Sequence, residues 1–467
     1  MEKERSITSM EKGSRTSGVV RDFTQGPVTR QLLLFSAPLF LSNVLQIAYN
    51  MVDMLVVGHF VGSAGISAVS VGGEVTNFLT VFAMGLSNAG SVIVAQYLGA
   101  GQRDKVGRFI GTLFTFLMGA SILMAAIGLG FTDQILTLMH TPAEAWDGAK
   151  DYATVCMSGL LFIYGYNMVS AVLRGVGDSK RPFLFVGIAA VINTVLDLVF
   201  VALLDMGVFG AALATVIGQT TSFLISVVFL VRNRTKLGFS LKGAYFRIEV
   251  PLLLTLLKLG IPMAIKQGAV SISKLFVSSW VNSFGVEVSA VAGIGNKITL
   301  IANMFSNATN TAGSTMVGQN IGAEQYQRVP KVVTSVFSIT AVTSALMGIV
   351  IFLWPEQVFG LFNQEPAVLA VAMDFVPVAL AGMVSCPLRS ASNALINGAG
   401  NYKVNFAVAL LDGIVLRLGL SVLFGLWLDW GYQGFWWGDA IAGFTPFVIG
   451  IFFYASGSWK TRKYVVK

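Results

Sequence analysis

The two halves of this chain repeat one another about 223 residues apart, and both are apolar over most of their length. Gln96, Gly99 and Ala100 of AQYLGAG return as Gln319, Gly322 and Ala323 of GQNIGAE, and Gly175, Gly177 and Lys180 of RGVGDSK return as Gly398, Gly400 and Lys403 of NGAGNYK. Pro38 in LFSAPLF has its counterpart, one residue out of step, in Pro262 of LKLGIPM. Two copies of one greasy unit must fold alike and pack about a pseudo-twofold axis. That arrangement lets one bundle rock against the other around a central site.

Twelve apolar stretches, near 31–57, 66–95, 109–131, 151–173, 183–204, 208–231, 252–283, 288–316, 332–354, 372–396, 404–428 and 435–455, reach or exceed the roughly 20 residues that cross a bilayer as a helix. The chain is 55% hydrophobic and only 12% charged, against about 25% charged in soluble proteins. The expected fold is an all-α polytopic membrane protein with twelve transmembrane helices in two six-helix repeats. An even number of spans per half makes the repeats parallel. The expected divisions are a solvated cytoplasmic tail at 1–30, an N-lobe at 31–231, a cytoplasmic linker at 232–251, a C-lobe at 252–455 and a basic cytoplasmic tail at 456–467.

Loop charges orient this scheme, because Lys and Arg collect on the cytoplasmic side. With both termini inside, Arg103, Lys105, Arg108, Lys180, Arg181, Arg232, Arg234, Lys236, Arg328, Lys331 and Lys403 fall in inner loops, whereas the outer loops hold acids with Lys150 as their only basic residue. The net charge of +8 is then topological bias and not a nucleic-acid footprint. Residues 1–30 lack the apolar core of a cleavable signal. Cys156 and Cys386, without a CxxC pattern, read as buried free thiols.

An ionised carboxyl inside a bilayer costs about 2.5–3.5 kcal/mol on insertion scales, so each such acid needs a reason to be there. Asn43, Gln46, Asn50 and Asp53 recur every three or four residues, with Tyr49 one turn before Asp53. They form a polar stripe that must face water or another helix. Asn193 precedes Asp197 by one turn, and the next helix offers Thr215 and Gln219. Carboxylate, amide and hydroxyl oxygens suit a proton or a bare Na+, and no imidazole or thiolate cluster suggests a transition metal or other cofactor. The second half instead carries Lys266, Lys274, Lys297, Arg389, Asp412 and Arg417, for which internal ion pairs or snorkelling toward the cytoplasm are expected. Neither GxSxG nor HExxH occurs, so no enzyme motif is legible.

The stretches LLLFSAPLFLSNVLQIAYNMVDMLVVGHFVG, AQYLGAGQ, LRGVGDSKRP, NTVLDLVF and GAALAT resemble the multidrug and toxic compound extrusion (MATE) family in its bacterial form, from Phe23 to the last helix. The resemblance implies two six-helix lobes set as a V. It also implies export of organic, often cationic and aromatic, compounds in exchange for H+ or Na+, the chemistry of xenobiotic export and antibiotic resistance. Asp53 matches the acid of the first helix. Asn193, Asp197 and Thr215 match the other N-lobe cation-coupling groups, with Asn167 and Tyr49 as nearby polar members. Gln46 and Asn50 continue the stripe toward the substrate cavity, and Pro38 matches a proline at which the first helix bends in some relatives.

Where one branch of the family places C-lobe acids, this chain has Val270 and Cys386, which favours similarity to the branch named for DNA-damage-inducible protein F. The implied setting is a bacterial plasma (inner) membrane, with the protein as a monomer whose partners are small organic substrates and lipid. The C-lobe polar candidates Lys266, Lys274, Asp412 and Arg417 keep open an alternative, a lipid-linked precursor flippase of the same superfamily with a cationic cavity for pyrophosphate.

Overall fold

The computed structural model describes residues 20–237, 239 and 242–466, and among these the regular structure is entirely helical. The long elements are α1 (Val28–Phe60), α2 (Ser63–Gly99), α3 (Arg103–Gly130), α4, α5 (Lys180–Leu203), α6 (Gly207–Arg232), α7 (Val250–Asn282), α8 (Val286–Gly322), α9 (Tyr326–Leu353), α10 (Pro366–Ala399), α11 (Tyr402–Trp427) and α12 (Gly431–Ala455). Element α4 is a broken span, Ala143–Ser158 followed by Leu160–Gly175 at 51°, and the other eleven are each long and apolar enough to cross a membrane. A helix satisfies its own backbone, which is why apolar repeats of this length adopt no other spanning form.

The helices are longer than a bilayer requires. Thirty-three residues of α1 rise about 50 Å, against roughly 30 Å of hydrocarbon, which leaves length for tilt or for turns beyond the hydrocarbon. Helix α1 runs unbroken through Pro38, where the Ser42 hydroxyl donates to the Pro38 carbonyl at 2.8 Å. Helix α5 passes into a π-helical turn, Leu198–Leu203, immediately after Asp197. Helix α11 has two such turns, Leu411–Val415 around Asp412 and Leu423–Trp427. Wide turns of this kind recur at functional positions because they displace the side chains that follow.

Packing crosses between the halves. One apolar cluster fills the N-lobe yet takes in Leu252, Leu256, Leu259 and Met263 from the first turns of α7. A C-lobe cluster takes in Val28, Leu32, Phe35 and Leu39 from the first turns of α1. The chain's ends are exchanged in the same sense, with Phe23 in the C-lobe cluster and Val465 and Val466 in the N-lobe cluster.

Both chain ends and the linker are docked against the helices. Residues 1–19 of the expected solvated tail lie outside the described residues, but the remainder is docked. Phe23 is fully buried, its ring 4.9 Å from that of Phe35. Its backbone N–H donates to Gln319 Oε1 at 3.0 Å. The segment after 455 is docked as well, with Trp459, Val465 and Val466 buried and Arg462 paired with Glu324 at 3.0 Å. The linker is anchored too, with Leu237 and Phe239 buried and Arg108 holding Glu249 through Nε at 2.7 Å. In each case a few apolar side chains in a polar stretch found cover that composition averages conceal.

Candidate functional site

The N-lobe acids converge. Helix α1 packs against α5, and α5 against α6, which brings Asp53 and Asp197 close enough to act on each other electrostatically. Asp53 is 4% exposed and Asp197 is fully buried. Asn193 Nδ2 donates toward Asp197 Oδ1 at 3.5 Å and toward Thr215 Oγ1 at 3.4 Å. Gln219 Nε2 reaches the Tyr49 hydroxyl at 3.5 Å. Three oxygens have no partner: Asp53 Oδ1, Asn193 Oδ1 and Asp197 Oδ2 are all buried and unbonded. Buried acceptors are almost always satisfied, so three unpartnered oxygens on Asp53, Asn193 and Asp197 form a donor set whose chemistry fits a proton or a cation.

The expected site residues do not all meet the two acids. Gln46 and Asn50 are exposed while Asp53 is buried, so the stripe starts on the open face of α1 and only its end enters the pocket. Asn167 turns its amide to the Ile163 carbonyl of its own helix at 2.9 Å and bonds to neither acid. Tyr152, which the sequence reading passed over, sets its hydroxyl beside the Asp53 carboxyl. Nothing in DYATVCMS singles it out from a packing tyrosine.

In the C-lobe, Arg417 is 2% exposed. It pairs with Asp412 Oδ1 at 2.8 Å and with Asp439 of α12. Asp439 was also missed, although an acid inside the apolar span GYQGFWWGDA was a legible signal. Lys266 Nζ donates to Asn393 Oδ1 at 2.5 Å, and Arg389 to Asn303 Oδ1 at 2.8 Å.

The repeated motifs meet each other at one end of the bundle. Gln96 Nε2 donates to the Gly398 carbonyl at 2.8 Å, and Gln319 Nε2 to the Gly175 carbonyl at 3.4 Å. These are the same bond made twice about the pseudo-twofold axis. Helices α2 and α8 come so close that a Cβ on Gly99 would overlap the Gln319 carbonyl, and one on Gly322 would overlap the Gln96 carbonyl. Only glycine permits that approach.

The left-handed glycines of the other motif, Gly177 (φ +86) and Gly400 (φ +69), receive the two chain ends, Gly177 against Arg21 and Phe23 and Gly400 against Val465. Beside Gly177, Asp178 pairs with Arg181 at 2.8 Å. Burial pushes the Asp178 carboxyl above its ordinary range, and Arg181 draws it back.

Comparison with known proteins agrees with this geometry and doubles it. The MatE family model matches twice, over residues 38–199 and 262–423, so the duplication read from motifs extends through both lobes. The chain is 30% identical over 442 residues to the "Probable multidrug resistance protein YpnP" of Bacillus subtilis (strain 168), covering 95% of this chain and 98% of that protein. It is 24% identical over 444 residues to the "Probable multidrug resistance protein NorM" of Thermotoga maritima, covering 93% and 94% respectively. Among solved structures, MATE in the straight conformation superposes with a TM-score of 0.86 at 22% identity, over 96% of this chain and all of that one. An outward-facing MATE family transporter of the MOP superfamily superposes with the same TM-score and identity. Twelve helices in two like lobes, a family model matched once in each, and relatives aligned nearly end to end place this chain in the MATE family of multidrug resistance transporters.

Proposed function

We propose that this protein is a secondary antiporter of a bacterial plasma membrane that exports small organic compounds in exchange for H+ or Na+ entering the N-lobe pocket. The observation that carries the reading is the trio of orphaned buried oxygens on Asp53, Asn193 and Asp197. A proton on either carboxyl, or a desolvated Na+ held among them with Thr215 Oγ1, supplies the partner they lack. One positive charge moving with the membrane potential provides about 2.3 kcal/mol per 100 mV, enough for roughly a 50-fold gradient of a neutral substrate. Loaded and empty pockets differ by one charge, and that difference biases the two conformations of the lobes.

Positive-inside loop charge supports placing both termini in the cytoplasm and the Gln96–Gln319 clasp at the cytoplasmic end. The clasp is then the closed inner gate. One chain supplies both lobes, which supports its acting as a monomer. The test is efflux from proteoliposomes with pH and Na+ gradients imposed separately, for the parent protein and for Asp53→Asn and Asp197→Asn. Both variants are expected to fold, since the amide is nearly isosteric and carries no charge to desolvate, and to lose gradient-driven export. Coupled export retained in both at normal membrane levels would refute the mechanism.

A further inference from the structure

The C-lobe carries a second polar cluster of opposite sign. Four cations, Lys266, Lys274, Arg389 and Arg417, face two carboxylates, Asp412 and Asp439. Both carboxylates are spent on Arg417, which bridges them. None of the ion pairs among the described residues includes Lys266, Lys274 or Arg389. Lys266 and Arg389 are hydrogen-bonded to the neutral amides of Asn393 and Asn303, which occupies one donor of each without cancelling its charge. Lys274 is exposed and has no hydrogen bond among the described residues. It lies about two turns beyond Lys266 on the same helix, within electrostatic range of Asp439, Arg417, Arg389 and Asp412.

Snorkelling does not account for Lys266. Lys266 is the middle residue of the 33-residue α7, about 24 Å of helix from either end, far beyond the reach of a lysine side chain. Charges at this depth occur where a counter-charge or a watered pathway meets them. Like charges within Coulomb range of each other raise the energy of the empty protein and lower that of any state with an anion among them.

We propose that Lys266, Lys274 and Arg389 form a binding site for the anionic group, a carboxylate, sulfonate or phosphate, of an amphipathic molecule, with Arg417 fixed as their structural support. The two lobes then carry polar clusters of opposite sign. The acidic N-lobe pocket takes the coupling cation, and the basic C-lobe site takes the negative end of the cargo. This deepens the transport reading by naming a substrate class and rests on it, but binding is measurable at equilibrium with no gradient. A failure of coupled export and a failure of this site are therefore separately visible.

The experiment uses the full chain in phosphatidylcholine nanodiscs, with fluorescein as an anionic aromatic probe and rhodamine 6G as a cationic one, read by fluorescence anisotropy. The triple variant K266Q/K274Q/R389Q is expected to weaken fluorescein binding at least tenfold and to leave rhodamine 6G binding unchanged or tighter. K274Q alone removes a side chain with no hydrogen-bond partner, so the fold is undisturbed, and it is expected to weaken fluorescein by a few-fold in a salt-sensitive manner. Replacing part of the lipid with phosphatidylglycerol separates two sources of the same chemistry. Competition against fluorescein in the parent protein supports a lipid headgroup as the occupant, and its absence supports a soluble anion. Fluorescein affinity unchanged in the triple variant, or an equal loss for both probes, would overturn the proposal.

Discussion

Substituting alanine for Gly99 tests whether the contact between the repeats is a gate. A Cβ there would overlap the Gln319 carbonyl oxygen and lie 2.9 Å from its carbon, where carbon atoms prefer about 3.5–4.0 Å. The contact lies between two backbones, so no rotamer change relieves it, and α2 and α8 must separate. Overpacking of this kind costs about 1–3 kcal/mol. Separation also weakens the paired bonds from Gln96 to Gly398 and from Gln319 to Gly175, each worth about 1 kcal/mol net.

A total of about 2–4 kcal/mol against the closed clasp corresponds to roughly a 30- to 700-fold shift toward its open form. Spin labels at Arg103→Cys and Gln327→Cys, exposed residues on opposite lobes, report the separation by pulsed electron resonance. Cys156 and Cys386 are buried and do not compete for label. The parent protein is expected to show mainly the short distance and Gly99→Ala the long one, with Gly322→Ala matching it by symmetry. Gly73→Ala, where a Cβ meets nothing within 4 Å, is the control for helix propensity. A folded Gly99→Ala protein with the parent's distance distribution would refute the gate.

The docked chain ends predict that Phe23→Ala, which empties a fully buried ring position, destabilises the closed form by about 3–5 kcal/mol, seen as the same lengthening between the Arg103 and Gln327 labels. Arg417→Met leaves Asp412 and Asp439 without their shared cation, at a cost of about 3–5 kcal/mol; thermal unfolding in detergent should drop well below the parent, and an unchanged midpoint would mean the charges are already neutralised elsewhere. For orientation, cysteines replacing Asp104 and Arg234 are expected to be shielded from an impermeant thiol reagent in intact cells, while one replacing Glu144 labels. All three positions are exposed, so labelling of the first two from outside would invert the topology.

The sequence alone determined the number and length of the spans, the duplication, and the N-lobe acids as groups needing a partner. Those conclusions follow from local rules, since about twenty apolar residues cross a bilayer whatever surrounds them and a buried acid is costly on any helix. What it could not determine was which surface covers which. The spacing of Asn43, Gln46, Asn50 and Asp53 shows that they share a face of α1, but only packing against α5 and α6 made Asp53 buried and left Gln46 and Asn50 exposed. Asn167 has the composition of a site residue and spends its amide on its own backbone. The motif glycines and glutamines were visible as repeats, yet their meaning appeared only when Gln96 met Gly398 and Gln319 met Gly175 across the lobes. Periodicity along one helix encodes the direction of its polar face. The identity of the neighbour on that face is a long-range property, decided when both lobes and both chain ends compete for the same buried surface.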